Sequence, residues 1–241
     1  LLDQLIGPAE PAKANSPASK EDSLFGLVGP SDTANVQATQ TAIVPKSVPA
    51  RPRSRKVPDS VLTVGESVYI TAAMPPEPAD PAERNYCVKK NRGAVVFCVE
   101  PVDWPPKLAR KMRVNSIMYQ GTQAIIRYDN GLATRIHAIF PTESHAAVIA
   151  HYTQRFGNPT AKSEQIVTPF AEPRQPNQII SWQRTDPLTK EKTTLEIRQF
   201  DDTRGGFPDM RYGAIILYNA ASPPIFPILS TLDLMPTSIM E

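Results

Sequence analysis

The stretch AIIRYDNGLATRIHAIF, Ala124 to Phe140, constrains this chain more than any other. Ala124, Ile126 and Tyr128 alternate with Ile125 and Arg127. Leu132, Thr134, Ile136, Ala138 and Phe140 alternate with Arg135 and His137. A period of two is the repeat of a strand whose faces meet different surroundings. Between the runs, Asp129-Asn130-Gly131 supplies a turn with Gly131 in the left-handed conformation. A three-residue loop pairs Tyr128 with Leu132 and keeps Ile126, Tyr128, Leu132 and Ile136 on one face, whereas a two-residue loop would mix the faces. The pattern predicts an antiparallel hairpin with the longer turn.

The same reading extends in both directions. YCVKKNRGAVVFCVE predicts a hairpin of Tyr86 to Lys89 and Val95 to Val99, turning at Asn91-Arg92-Gly93. An even-numbered turn sets Cys87 opposite Cys98. Cross-strand Cβ atoms roughly 4.5–5.5 Å apart need little adjustment to close a disulfide. A disulfide rather than two buried thiols is expected, and with it an oxidising compartment outside the cytoplasm, the periplasm. After Pro141, Thr142 as N-cap and Glu143 in the first turn open a helix with Ala146, Ile149, Tyr152 and Phe156 on one side. Gly157 and Asn158-Pro159 end it. Strands follow at Ser163 to Thr168, Gln178 to Arg184, Thr193 to Phe200 and Tyr212 to Tyr218. Hairpins, one helix, then an antiparallel run predict an α+β fold: a mostly antiparallel sheet with one or two packed helices, preceded by a long Pro-rich extended tail.

Composition sets the boundaries. Pro is 26 of 241 residues and Gly only 11, which favours extended, semi-stiff segments over a Gly/Ser linker. Residues 1–82 read as the tail, 83–220 as the folded domain, and 221–241 as a Pro-rich arm that either packs back or docks outward. Two β-rich islands in the tail, Val61 to Val64 and Val68 to Ile70, could add strands to this sheet or to a partner's. RPRSRK, Arg51 to Lys56, reads as a solvated linker, because no aromatic residue interleaves its charges.

The tail also repeats itself. Leu2, Leu5, Ile6, Gly7 and Pro8 recur as Leu24, Leu27, Val28, Gly29 and Pro30, an LxxL[IV]GP motif in two copies. The spaced leucines suit one helical turn or an extended insertion into an apolar groove, and Pro ends the element. Two copies on a flexible spacer suit repeated equivalent pockets of a larger assembly, where linkage raises avidity.

A formal charge of +2 argues against nucleic acid as a bulk partner. No apolar run is long enough to span a bilayer as a helix. No nucleotide-binding loop, nucleophile elbow or zinc spacing occurs. His145 and His151 lie on different sides of their helix, and His137 shares the polar face of its strand with Arg135, so all three read as surface or half-buried residues. Asp201, Asp202 and Asp209 offer oxygen ligands, but Gly205-Gly206 and the interleaved arginines read better as a hairpin loop pinned by Arg–Asp pairs. Trp104 and Trp182 read as core, with an aromatic groove as the alternative.

No catalytic residue, metal or cofactor is therefore expected. The expected function is a non-enzymatic structural or adaptor component of an extracytoplasmic assembly, its tail ordering on a larger partner. A small-molecule or peptide-binding module using a cleft of the domain is the alternative, and an enzyme using Asp201, Asp202 and a histidine ranks last.

Overall fold

Alternation in the sequence becomes the two faces of a sheet. The computed structural model describes residues 57, 60–76, 86–116, 118–185, 190–230 and 232–234. In chain order its strands are β1 (Thr63–Val64), β2 (Val68–Tyr69), β3 (Tyr86–Lys90), β4 (Val95–Pro101), β5 (Val114–Asn115), β6 (Gln120–Gly121), β7 (Gln123–Asp129), β8 (Leu132–Pro141), β9 (Ala161–Val167), β10 (Gln175–Thr185), β11 (Lys192–Arg198) and β12 (Tyr212–Asn219). The helices are α1 (Pro106–Ala109) and α2 (His145–Phe156). β3, β4, β7 and β8 form one antiparallel meander. After α2 the chain resumes at the far edge with β9, and β10, β11 and β12 return until β12 pairs with β8. The eight-stranded order is β3-β4-β7-β8-β12-β11-β10-β9, with the seam between the two meanders at its centre. This is the expected α+β architecture, a mostly antiparallel sheet with one main helix.

One face of the sheet packs against α2. Ile126, Tyr128, Ile136 and Phe140 meet Trp182, Leu195, Ile197 and Leu217 from the second meander, and Val148, Tyr152 and Phe156 close over them. Burial of each such side chain contributes about 1.5–3 kcal/mol. The indole N–H of Trp182 donates to the Gly157 carbonyl at 2.8 Å, so its polar atom is satisfied inside the core. Trp104 is buried too, so the two tryptophans line no groove. The helix presents a different stripe from the one its sequence suggested: Val148, Tyr152 and Phe156 are buried, while Ala146 is exposed. Its start also differs. Thr142 and Glu143 fall in a 3-10 turn, and the Thr142 hydroxyl donates to the Met210 carbonyl at 2.9 Å instead of capping α2. Gly157 does end the helix, at φ 80°.

The β7–β8 hairpin turns more tightly than expected. Asp129 pairs with Leu132, leaving Asn130 (φ 51°) and Gly131 (φ 80°) as a two-residue turn with both residues left-handed. Alternation alone would then put the wrong residues in the core. A β-bulge corrects it: Tyr128 pairs with Ala133 and Arg127 with Arg135, so Thr134 is the extra residue. Ala133 is therefore buried with Tyr128, and Leu132, expected in the core, is 48% exposed. The Thr134 hydroxyl donates to the Asp129 carboxylate across the bulge.

β3 and β4 carry the expected cysteine pair. Cys87 lies directly opposite Cys98, across the four-residue turn Asn91 to Ala94, and the sulfurs are 2.09 Å apart.

The folded body starts earlier than residue 83. Leu62, Val64 and Ile70 are buried in the α2-side core, and β1 and β2 pair with each other there. Gly65 turns between them at φ +60°, where a Cβ would lie 2.4 Å from the Asp103 carbonyl oxygen. Arg155 of α2 donates to the Gly65 carbonyl at 2.6 Å. Residues 71–74 then bond along the β8 end of the hairpin, through Thr71 N–H to Ala133 O (2.7 Å) and Met74 N–H to Gly131 O (2.8 Å). Residues 60–76, read as part of the tail, thus belong to the folded body, and their two islands do form strands, paired with each other rather than added to the main sheet.

The second face is covered unevenly. Over the first meander, Val114 and Tyr119 of the β5–β6 hairpin and Ile225, Phe226 and Leu229 of the C-terminal arm bury Phe97, Ile125 and Ile139. The arm packs back and is fastened at the edge by Lys90 to Asp233, 2.7 Å. Over the second meander the same face carries half-buried polar side chains, among them Ser181, Glu196 and Arg198.

Candidate functional site

The boundary between the covered and uncovered halves of the second face forms a cleft of about 250 Å³. Register explains its walls. β8 points Arg135 and His137 to this face, and β12 and β11 add Ile216 and Arg198. Arg135, His137, Arg198 and Thr203 form the polar wall. Ile216 and the arm residues Pro224, Ile225 and Phe226 form the apolar one.

Behind the polar wall runs a buried hydrogen-bond chain. The Asp201 carboxylate accepts the Thr203 hydroxyl at 2.8 Å and the Thr203 backbone N–H at 3.1 Å, and its other oxygen accepts the Arg204 guanidinium. The Thr203 hydroxyl has thereby committed its proton, so His137 Nε2, 2.8 Å from that oxygen, must be the donor. His137 Nδ1 is hydrogen-bonded to the Tyr119 hydroxyl. Burial, then the Asp201 charge, push the Tyr119 phenol well above its ordinary pKa, which keeps it protonated. Burial pushes Asp201 up, but His137, Arg204 and Thr203 more than offset it and hold the carboxyl well below the usual range. The chain ties the 201–211 loop to β8 and to the β5–β6 hairpin. His137 is on the expected face beside Arg135, yet only 2% exposed, because both covering segments come from distant sequence.

The three loop aspartates each meet an arginine. Asp201 pairs with Arg204, Asp202 with Arg198 at 2.6 Å, and Asp209 with Arg204 at 3.3 Å and Arg211 at 3.1 Å. Among the described residues no group of three or more His, Cys, Asp or Glu side chains could hold a metal ion. His145 and His151 sit on α2, on the other side of the sheet from His137. His145 stacks on Phe140 and His151 packs against Tyr152.

The arginines of the cleft rim are placed unequally. Arg198 has Glu196 and Asp202, each at 2.6 Å. Arg135 lies over the Tyr218 ring at 4.5 Å and donates to the Ser222 carbonyl at 2.9 Å. Directly across the β7–β8 pair, Arg127 is 5% exposed and bonds Asp129 through Nε and one Nη, while its Nη1 is buried without a partner. Sequence alternation placed Arg127 and Arg135 on strands but gave no sign that they would face each other, with Arg127 buried and Arg135 half-buried.

A second feature lies at the loop ends. Phe170, 72% exposed, and Phe207, 63% exposed, meet edge to face in solvent with ring centroids 5.2 Å apart. Ile166 of β9 is 59% exposed. The only signal in sequence was an aromatic residue in each of two polar loops, PFAEP and GGFPD. The docking candidates Leu2, Leu5, Ile6, Gly7, Pro8, Leu24, Leu27, Val28, Gly29 and Pro30 lie outside the described residues. No helix of the described residues is long and apolar enough to cross a membrane. Compared with known proteins, the chain matches no family model, no curated protein and no solved structure.

Proposed function

We propose that the chain is a non-enzymatic adaptor of an extracytoplasmic, periplasmic protein assembly, held to a larger partner by its domain and its repeated tail motifs. The observation that carries this reading is the Phe170–Phe207 pair. Two aromatic rings from separate loops touch each other yet remain mostly in water. Each forgoes roughly 1.5–3 kcal/mol of burial, which a partner surface would recover. The disulfide supports an oxidising compartment. The test is a double substitution, Phe170→Ser with Phe207→Ser, in full-length protein sized after gentle cross-linking in its native envelope fraction. The wild type should run as part of a large complex, and the variant at the monomer mass with its melting temperature kept. A wild type that runs as a monomer, or a variant that stays in the complex, would overturn the reading.

A second reading, a small-molecule or peptide-binding module, is favoured by the cleft beside Arg135.

A further inference from the structure

Arg127 and Arg135 face each other across β7 and β8, a like-charge pair of the kind that ordinarily destabilises a sheet. Charges near them balance in number but not in place. Asp129 serves Arg127, while Glu196 and Asp202 both serve Arg198. Among the described residues Arg135 has no carboxylate within 4.0 Å, only the Ser222 carbonyl and the Tyr218 ring. Arg127 is more than nine-tenths buried and keeps Nη1 unpaired. Arg127 itself lies over the Phe97 ring at 5.7 Å and does not line the cleft, so its charge stays behind Arg135 and adds to the positive potential there. The cleft opens on this row of charges, at Arg135.

We propose that the cleft is a binding site for a carboxylate carried on a small apolar body, with Arg135 as its anchor. The inference rests on the cleft reading above and not on the adaptor reading.

The class of ligand follows from the walls. A guanidinium fork matches a carboxylate in shape and charge. Arg135 keeps donors beyond the one spent on Ser222. A single negative charge suits Arg135, the arginine of the cleft that, among the described residues, has no ion-paired carboxylate. A dianionic phosphate would instead be pressed against Glu196 and Asp202, which already surround Arg198. Ile216, Ile225 and Phe226 offer the body of the ligand an apolar wall, while Thr203, its hydroxyl already committed to Asp201 and His137, bounds the polar end without adding a donor. At about 250 Å³ the space falls below the roughly 300–1,000 Å³ of drug-sized sites. It suits a short aliphatic or aromatic acid, or the last residue of a peptide. Burial also lowers the Arg135 pKa, the direction expected of a cation short of a counter-charge.

Two sources share this chemistry, a free acid and a peptide C-terminus, and the probes separate them. Full-length protein is titrated by calorimetry with 3-phenylpropionate, its neutral amide, phenyl phosphate, and a short peptide ending in Leu as acid or amide. Saturable binding of the acids is expected, with the amides weaker by at least about tenfold on the unaltered protein. A peptide acid tighter than the free acid identifies a chain end as the ligand, and the reverse identifies a small acid. Arg135→Met, which keeps the stem and removes the charge, should abolish acid binding. Since that variant also loses the Ser222 bond, the amide comparison on wild type stands independently of its folding. No saturable acid binding, amides equal to acids, or phenyl phosphate tighter than phenylpropionate would each overturn the proposal. None of these outcomes bears on whether Phe170 and Phe207 hold the chain in an assembly.

Discussion

Tyr119 and His137 show how a single side chain can be committed by its surroundings. The Tyr119 hydroxyl is hydrogen-bonded to a buried imidazole nitrogen. Tyr119→Phe leaves that nitrogen without a partner, and a loss of about 1–3 kcal/mol is expected in urea unfolding, with the fold retained. The histidines of α2 add a pH dependence. Burial lowers the pKa of His145 and His151 below the usual 6.5, and Nε2 of each is buried without a partner. The unfolded chain therefore takes up protons first, so stability is complete above about pH 6.5 and falls as pH drops through that value. The carboxyls of Asp129, Asp201 and Asp209 are held below the usual 3.8, so a second loss follows below about pH 4. Melting temperatures measured across this range should fall in two stages; a flat profile between about pH 7 and pH 5 would exclude the histidine contribution. At this scale the sequence revealed the face of His137 but not its burial. Face follows from neighbours one or two residues away, whereas burial depends on Tyr119 and Thr203, which only the tertiary fold brings close.

Among the elements, β3 is the one whose hold on the sheet can be switched. It is an edge strand, tied to β4 by Cys87–Cys98 and to the C-terminal arm by Lys90–Asp233. Reduction, or Cys87→Ala with Cys98→Ala, should cost roughly 2–3 kcal/mol, given the short loop that the bond closes. Hydrogen exchange should quicken in β3 first and leave β8 and β12 protected. Equal exchange in oxidised and reduced protein would show that the arm alone holds the edge. The strands were legible because a period of two survives in isolation. The hairpin turn was not, because alternation is equally satisfied by a longer loop or by a tight turn with a bulge at Thr134, and only the Asp129 contact separates them. The helix stripe was misread for a similar reason: Ile149 and Val148 are neighbours in sequence, and the sheet buries Val148 more deeply.

For the whole molecule, the start of the folded body is the testable point. A chain beginning at residue 57 should fold, and one beginning at residue 83 should not. The shorter chain lacks Leu62, Val64 and Ile70 from the core. Loss of such side chains costs roughly 2–5 kcal/mol each, against a total stability of about 5–15 kcal/mol. Amide NMR dispersion of the two chains decides it; a well-dispersed spectrum from the shorter one would show that β1 and β2 are dispensable. The two islands stood out in the sequence as strand-formers, but the surface that buries them did not, because Trp104 and Tyr152 on that surface are distant in sequence.

The central seam has a consequence for how this protein is made. β8 is complete at Pro141, but its partner β12 begins only at Tyr212. Everything from Thr142 to Arg211 must leave the ribosome first. Until then the middle strand of the finished sheet is a raw edge, the kind of surface that recruits strands from other chains. The β8–β12 seam joins strands about seventy residues apart, so the two meanders close on each other only after that whole stretch is made, and the seam is expected to be among the last contacts to form.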